Sequence, residues 1–115
     1  MKKNLIIIGA RGWGREVLWS FQSNYNDKYN FKGFLDSKSD ALDGLIGEFP
    51  PIICSVEDYI IQPGDVFFCA LGDPKWRKHY SDIIESKGGE FITYISPLAI
   101  VSPNAIIGEG TFIGA

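Results

Sequence analysis

The stretch LIIIGARGWG, residues 5–14, joins an apolar run to three closely spaced glycines. The strand predicted from this run covers Lys3 to Ile8, because a continuous apolar segment that ends at a glycine is typical of a strand buried on both faces of a parallel sheet. The segment that follows, REVLWSFQSN, carries its apolar residues at helical spacing. The sequence therefore predicts a strand, a glycine turn and a helix, in that order.

Further apolar runs continue this alternation of strands and helices. FKGFL at 31–35 and VFFCAL at 66–71 predict two more buried strands, and PIIC at 51–54 predicts a short edge strand. The Asp-Pro pair at 73–74 predicts the N-terminus of a second helix, which ends at the glycines 88–89. This order predicts an α/β fold, a Rossmann-like parallel sheet with flanking helices.

Two more segments complete the predicted elements. Ser55, followed by two acidic residues, predicts the N-cap of a short helix SVEDYII at 55–61, and residues 90–94 predict the last strand. The carboxyl ends of parallel strands meet at one edge of the sheet, where ligands bind at the point where strand order reverses. The sequence therefore predicts a ligand site at that edge.

Gly9, Gly12 and Gly14 form the pattern G-x-x-G-x-G between the first strand and the first helix. Glycine removes the Cβ that would stand between backbone and ligand, and a helix N-terminus favours a phosphate. A tight turn without a ligand is the alternative explanation. The order differs from the dinucleotide pattern G-x-G-x-x-G, which weakens the case for a nicotinamide cofactor. Arg11 and Arg15 either add positive charge beside a diphosphate or lie in solvent.

Residues after the second and third strands are the other candidates. Asp36 either accepts hydrogen bonds from a ribose or base edge, or caps the following turn. Gly72 lets a ligand approach the sheet edge, and Asp73 either caps the second helix or binds a nucleotide. Arg77, one turn into that helix, is a further candidate for ligand contact.

Composition argues against several classes of function. The 115 residues include 11 basic and 14 acidic side chains, a net charge of −3, so no basic face for nucleic acid is predicted. No apolar stretch approaches the roughly 20 residues of a membrane span, and no ligand spacing predicts a metal site. Cys54 and Cys69 are expected to be reduced thiols of a cytoplasmic protein. His79, the only histidine, is expected on a solvated helix surface, and Trp76 with Tyr80 is expected to be a packing pair.

A different periodicity occupies the end of the chain. In LAIVSPNAIIGEGTFIGA, residues 98–115, Val101, Ile107 and Ile113 stand six residues apart. This period fits neither a strand nor a helix, and it is typical of a solenoid whose short strands each point one aliphatic residue into a prism-shaped core. Only two full hexads and the start of a third are present, whereas a solenoid needs several stacked repeats.

Taken together, these motifs resemble the sugar O/N-acyltransferases of the sialic-acid O-acetyltransferase (NeuD) and PglD type. The resemblance rests on GARGWGREV after the first strand, GFLD at the end of the second, ALGDPKWR at the third, and the hexads. It implies a Rossmann-like domain at residues 1–96 that binds a nucleotide sugar. It also implies that residues 97–115 begin a left-handed β-helix, so that the chain is the front part of a longer enzyme.

The resemblance assigns roles to residues as well. The glycine turn would hold the diphosphate, Asp36 would contact the uracil or ribose, and the third strand end would line the same pocket. Trp13 stands where the family has a small residue, His or Phe. The implied substrate-binding set is Gly9, Gly12, Trp13, Gly14, Arg15, Asp36, Gly72 and Asp73.

In that family the whole enzyme moves an acetyl group from acetyl-CoA to an amine or hydroxyl of the sugar. The β-helix forms a homotrimer, binds acetyl-CoA between subunits and carries the general-base histidine in later coils. His79 does not match that histidine. The chain alone is therefore expected to bind a UDP-sugar or a sialic-acid-type sugar, to bind no acetyl-CoA, to be inactive, and to be a monomer or weak dimer. The sugar, the acetylated atom and the glycan pathway stay open.

Two other classes of function remain. An NAD(P)-dependent oxidoreductase domain needs a catalytic Lys, Tyr or His near the third strand, and no residue there is assigned that role. A non-enzymatic nucleotide-binding module needs only the glycine turn. Binding of UDP-sugars, NAD or ATP separates the three hypotheses.

Overall fold

The computed structural model of the chain describes residues 2–11, 13–45, 47–95 and the two-residue strand at 112–113. Most of the predicted hexads therefore lie outside the described residues. No helix in the described part is long and apolar enough to cross a membrane. The elements in chain order are β1 (Lys3–Ile8), α1 (Trp13–Tyr25), β2 (Tyr29–Leu35), β3 (Ile52–Cys54), β4 (Asp65–Cys69), α2 (Pro74–Ser86), β5 (Tyr94–Ile95) and β6 (Phe112–Ile113).

Four parallel strands form the main sheet in the order β3-β2-β1-β4. From β1 the chain passes to β2 on one side, and it later places β4 on the other side. Strand order therefore reverses at β1, and the segments after β1, β2 and β4 open a crevice at the carboxyl edge of the sheet. The predicted Rossmann-like α/β sheet is confirmed.

The residues of β1 alternate between two apolar cores. Leu5 and Ile7 belong to the core under α1, whereas Ile6 and Ile8 belong to the core that contains Ile84 of α2. All four are at most 1% exposed. Burial of each such side chain contributes about 1.5–3 kcal/mol, so β1 anchors both layers, and one helix covers each face of the sheet.

Helix α1 forms because its apolar residues recur every three or four positions. Gly14, Val17, Leu18 and Phe21 are buried against the sheet, as expected for an amphipathic helix. Trp19 projects from another side of the helix and is 70% exposed.

Helix α2 begins and ends where the sequence predicts. The Oδ1 atom of Asp73 accepts a hydrogen bond from the backbone N–H of Lys75 at 2.9 Å, so Asp73 is the N-cap. The helix stops before Gly88, whose φ of 85° lies in the left-handed region that glycine adopts without strain. The capping explanation for Asp73 is therefore confirmed.

The prediction of a helix at 55–61 is wrong, because the chain forms a turn there. The Ser55 hydroxyl still accepts a hydrogen bond from the backbone N–H of Asp58 at 3.3 Å. However, the ammonium group of Lys87, directly after α2, donates to three carbonyl oxygens of residues 56–59 at 2.8–3.1 Å. A helix would use such carbonyls as acceptors for its own N–H groups, so the lysine stabilises a turn in place of the helix. We call this segment the 56–59 turn.

The strand predicted at 90–94 is shorter and divided. Phe91 makes an isolated parallel bridge to Phe67 of β4, and Tyr94 begins β5, which pairs in parallel with β6. The ring of Tyr94 packs edge-on against Phe21 of α1, with 5.0 Å between centroids. Packing on α1 and pairing with β6 draw the chain out of the main sheet before Tyr94.

A buried carboxylate ties the 56–59 turn to the sheet. The side chain of Asp65 is fully buried. It accepts hydrogen bonds from the Tyr59 hydroxyl at 2.5 Å, from the Nζ of Lys32 at 3.1 Å and from the backbone N–H of Gln62 at 2.8 Å. Removing one partner of a buried charge is destabilising, because it leaves the charge less compensated. We call Lys32, Tyr59 and Asp65 the buried ion cluster.

The buried ion cluster predicts a loss of stability at alkaline pH. Burial raises the pKa of Tyr59 above its ordinary value of 10.0, and the hydrogen bond to Asp65 raises it further. Burial lowers the pKa of Lys32, but its hydrogen bonds to Tyr59 and Asp65 outweigh this and raise the pKa above 10.5. Both groups hold their protons more tightly when folded, so their stabilisation is present below pH 10 and is lost as the pH rises through the folded-state pKa values.

Urea unfolding between pH 7 and pH 11 tests this. The free energy of unfolding should fall above about pH 10, and Tyr59→Phe should lower it at pH 7 by about 1.5–3 kcal/mol, the contribution of a hydrogen bond to a charged group. Tyr80→Phe, on α2 and outside the cluster, is the matched control. A Tyr59→Phe protein as stable as wild type would contradict the role given to the cluster.

Candidate functional site

A cavity of about 380 Å³ opens at the carboxyl edge of the sheet. Three strand ends contribute to it, because β1, β2 and β4 terminate side by side. The remaining walls come from the 56–59 turn and from α2. The lining residues are Ile8, Gly9 and Arg11, then Leu35 to Ser37, then Val56 and Glu57, then Ala70 to Asp73, and Trp76 and Tyr80.

The structure brings four of the eight predicted site residues together at this cavity. Gly9, Asp36, Gly72 and Asp73 come from three separate segments and line the same space. Trp13, Gly14 and Arg15 belong to the first turn of α1 and are not among the lining residues. Gly12 lies outside the described residues. Whether any of the eight binds a ligand stays a prediction.

The glycine turn is shaped by backbone contacts that exclude larger residues. Gly9 has a φ of 96°, and a Cβ there would lie 2.8 Å from the Cδ2 atom of Leu71. A Cβ on Gly14 would overlap the carbonyl oxygen of Gly9. The first turn of α1 therefore sits directly on the end of β1, an approach that only glycine permits. The N-terminus of α1 is held at the sheet edge by this contact.

Asp36 fixes the glycine turn in place. Its side chain is only 8% exposed, and its Oδ2 atom accepts a hydrogen bond from the backbone N–H of Ala10 at 3.0 Å. Its Oδ1 atom accepts from the backbone N–H of Lys38 at 2.9 Å, which is the predicted turn cap. The Arg11 guanidinium is 3.5 Å from Oδ1 and is itself 63% exposed, so this ion pair is weak. Asp36 thus links the segments that follow the neighbouring strands β1 and β2.

Two further arginines lie near the first turn of α1. The Nε atom of Arg15 is buried and has no hydrogen-bond partner in the described part of the chain. The Cζ atom of Arg77 lies 5.9 Å from the centre of the Trp13 ring, which also packs edge-on against Phe68 at 6.3 Å between centroids. Arg77 therefore bridges the first turns of the two helices, and Trp13 is part of the packing rather than of the cavity wall.

The wall formed by α2 is the part that sequence reasoning missed. Trp76 and Tyr80 stack as the predicted pair, with 6.0 Å between centroids and 27° between planes, yet both also line the cavity. His79 packs edge-on against Trp76, with 5.7 Å between centroids, and is exposed as expected. The sequence does place Trp76 in the first turn of the helix that follows the third strand, next to the predicted site residues Gly72 and Asp73, and this position could have indicated that it lines the cavity.

The 56–59 turn adds a negative charge to the cavity wall. Glu57 adds a third carboxylate to those of Asp36 and Asp73, against one lining arginine, Arg11. The turn keeps its place because the Lys87 ammonium binds its carbonyl oxygens. The described part of the chain contains no group of three His, Cys, Asp or Glu side chains suited to a metal ion.

Both cysteines are free thiols outside the cavity wall. Burial raises the pKa of Cys69 and, together with the carboxylate of Asp58, the pKa of Cys54. A raised pKa keeps each thiol protonated at neutral pH, which makes it a poor nucleophile.

Comparison with known proteins matches residues 4–95 to the family described as the PglD N-terminal domain. The chain is 31% identical over 115 residues to the UDP-N-acetylbacillosamine N-acetyltransferase of Bacillus subtilis (strain 168), covering 98% of the chain and 52% of that protein. It is also 31% identical over 111 residues to the uncharacterized protein L142 of Acanthamoeba polyphaga mimivirus, covering 94% of the chain and 20% of that protein.

Among solved structures, the acetyltransferase domain of PglB from Neisseria gonorrhoeae FA1090 in complex with acetyl coenzyme A superposes with a TM-score of 0.75. The sequences are 26% identical, and the match covers 97% of this chain and 53% of that one. A second structure of the same domain gives a TM-score of 0.71. The chain thus spans about half the length of the acetyltransferases it matches.

Two glycine substitutions test the close approach of α1 to β1. Gly14→Ala should lower the free energy of unfolding by about 1–3 kcal/mol or more, because its Cβ meets a backbone oxygen that has no room to move. Gly72→Ala, whose Cβ would meet no atom within 4 Å, should change it by less than about 0.5 kcal/mol. Urea unfolding measures both, and equal stability of the two variants would contradict the packing described.

The role of Asp36 in holding the glycine turn predicts faster amide exchange at one named position. Asp36→Ala removes the acceptor of the Ala10 N–H, so this amide should exchange with solvent markedly faster than in wild type. Asp27→Ala, on the exposed turn after α1, is the control. Hydrogen exchange followed by NMR gives the rates, and unchanged protection of Ala10 would show that Asp36 does not hold the turn.

Proposed function

This chain belongs to the family of PglD N-terminal domains, and on that premise we propose that it is the nucleotide-sugar-binding part of a sugar N-acetyltransferase. The observation that carries the proposal is the convergence of Gly9, Asp36 and Gly72 on one cavity at the point where strand order reverses. The Bacillus relative is a UDP-N-acetylbacillosamine N-acetyltransferase, so the proposed ligand is a UDP-sugar.

The glycine turn suits the diphosphate. The Gly9 backbone lines the cavity without a side chain, and the close approach at Gly14 places the N-terminal, positive dipole end of α1 beside it. Arg11 lines the cavity and is largely exposed, so it can turn toward an added negative charge. The N–H groups of Gly9, Ala10 and Gly14 already donate to Leu35, Asp36 and Arg11 within the protein. The proposed diphosphate contacts are therefore the Arg11 side chain and the positive dipole end of α1.

Asp36 suits a hydroxyl group of the ribose. A carboxylate has about four acceptor positions, and the N–H groups of Ala10 and Lys38, with Arg11, occupy three of them. Room for one further donor remains on a side chain whose position the protein already fixes. We therefore propose that Asp36 both holds the turn and accepts a ribose hydroxyl.

The pairing of β5 with β6 supports a β-helix after the first domain. Tyr94 pairs with Phe112 and Ile95 with Ile113, an offset of 18 residues, which is three of the six-residue periods in the sequence. In a three-sided solenoid one full coil returns the chain to a parallel neighbour after three repeats. We propose domains at 1–96 and from 97 onward on this basis.

The proposed reaction of the whole enzyme is direct acyl transfer. The amine of the sugar attacks the thioester carbonyl of acetyl-CoA, a base removes the proton of the amine, and coenzyme A leaves as a thiol. Base catalysis of this kind contributes ~10²–10⁴-fold. Acetyl-CoA as the donor is supported by the Neisseria structure that contains it, and homotrimer formation through the β-helix is part of the same proposal.

We assign substrate binding alone to this chain. The single histidine, His79, is exposed on α2 and is not among the residues that line the cavity. The chain should therefore bind the UDP-sugar and give no acetyl-CoA turnover. The free cysteines fit a cytoplasmic protein of glycan biosynthesis.

Thermal unfolding with different nucleotides tests the proposal. UDP-N-acetylglucosamine, as an available UDP-sugar, should stabilise the chain by about 2.7 kcal/mol at 100 times its Kd, whereas NADH and ATP should have smaller effects. Stabilisation by NADH alone would favour the oxidoreductase hypothesis, and stabilisation by ATP alone would favour a non-enzymatic nucleotide-binding module. Acetyl-CoA turnover by the isolated chain would contradict the assignment of binding alone.

A further inference from the structure

The cavity wall on α2 presents a large aromatic surface that packing alone does not explain. Trp76 is 47% exposed, although an indole of its size normally lies mostly buried. Its ring is held by stacking on Tyr80 and by the edge of His79. It is thus a fixed apolar surface that lines the cavity from the first turn of a helix.

The charged side chains that line the cavity favour one position for a phosphate. Arg11, at the glycine turn, is the cation among the described lining residues, whereas Asp36, Asp73 and Glu57 are the carboxylates. A diphosphate is directed to the glycine turn because Arg11 lies there and because the Asp36 carboxylate beside it is already compensated by the N–H groups of Ala10 and Lys38. With the diphosphate at the glycine turn, the neutral, planar base of the same ligand would contact the wall that contains Trp76.

We infer that the indole of Trp76 is the surface on which the base of the nucleotide stacks. This rests on the proposed function, and it identifies the residue that distinguishes a nucleotide from other phosphate esters. A base offers a flat π face to the indole, and the N–H at the edge of uracil is matched by the Glu57 carboxylate, which lines the same cavity from the 56–59 turn. The ammonium group of Lys75 lies 5.9 Å from the centre of the indole on an exposed side chain that a stacked base can displace.

Trp76 differs from the other two tryptophans because it alone is among the described residues that line the cavity. Trp13 packs against Phe68 beneath Arg77, and Trp19 is 70% exposed on α1 and is not among the lining residues of the cavity. Trp19 is therefore a matched control, since it is an exposed tryptophan on a helix of the same length. Substitution of either exposed residue should leave the fold intact, because neither belongs to the buried cores.

Calorimetric titration with UDP tests the inference. Trp76→Ala should raise the Kd for UDP by about 5- to 150-fold, the range expected for loss of one base–aromatic stack. Trp76→Phe keeps a stacking surface and should stay within a few-fold of wild type, and Trp19→Ala should not change the Kd. UDP should quench tryptophan fluorescence in wild type and Trp19→Ala but not in Trp76→Ala.

The outcomes separate this inference from the proposed function. If wild type binds UDP and Trp76→Ala binds it equally well, Trp76 is not the stacking surface and the proposed function stands. If Trp76→Ala weakens UDP-N-acetylglucosamine but not UDP, the sugar ring rather than the base contacts the indole, which also overturns the inference. If wild type binds neither ligand, the proposed function fails, and the inference fails with it.

Discussion

The contact between Gly14 and the carbonyl oxygen of Gly9 is the constraint on which the site depends. It lets the first turn of α1 rest on the end of β1, at the position where the strand order of the sheet reverses. Any side chain at Gly14 would push α1 away from the sheet. The positive dipole end of α1 would then no longer be held beside Gly9 at the edge of the cavity.

The remaining walls are held by charged groups that are satisfied inside the protein. Asp36 joins β2 to the glycine turn through the N–H of Ala10. Lys87, directly after α2, binds carbonyl oxygens of the 56–59 turn. The hydrogen bond from the Tyr59 hydroxyl to the buried Asp65 then fixes that turn to the sheet. The cavity is thus bordered by segments that are tied to each other before any ligand arrives, which lowers the entropy lost on binding.

Local signals in the sequence predicted the elements that local interactions control. The apolar run of β1, the spacing of α1 and the cap of α2 by Asp73 all depend on neighbours within a few residues, and all three are confirmed. The helix predicted at 55–61 is replaced by the 56–59 turn, because the carbonyl oxygens of that turn bind Lys87, about 30 positions later in the chain. Trp76 was predicted to be packing alone, because its stacking on Tyr80 is local whereas its place in the cavity wall depends on strand order.

The most direct test of this account is an amide-resolved NMR titration of the 115-residue chain with UDP-N-acetylglucosamine. The account predicts that shift changes cluster at Gly9 to Arg11, at Asp36 to Lys38 and at Gly72 to Asp73, together with the indole N–H of Trp76. Shift changes centred elsewhere, for instance on the exposed side of α1 around Trp19, or no saturable change at all, would contradict it.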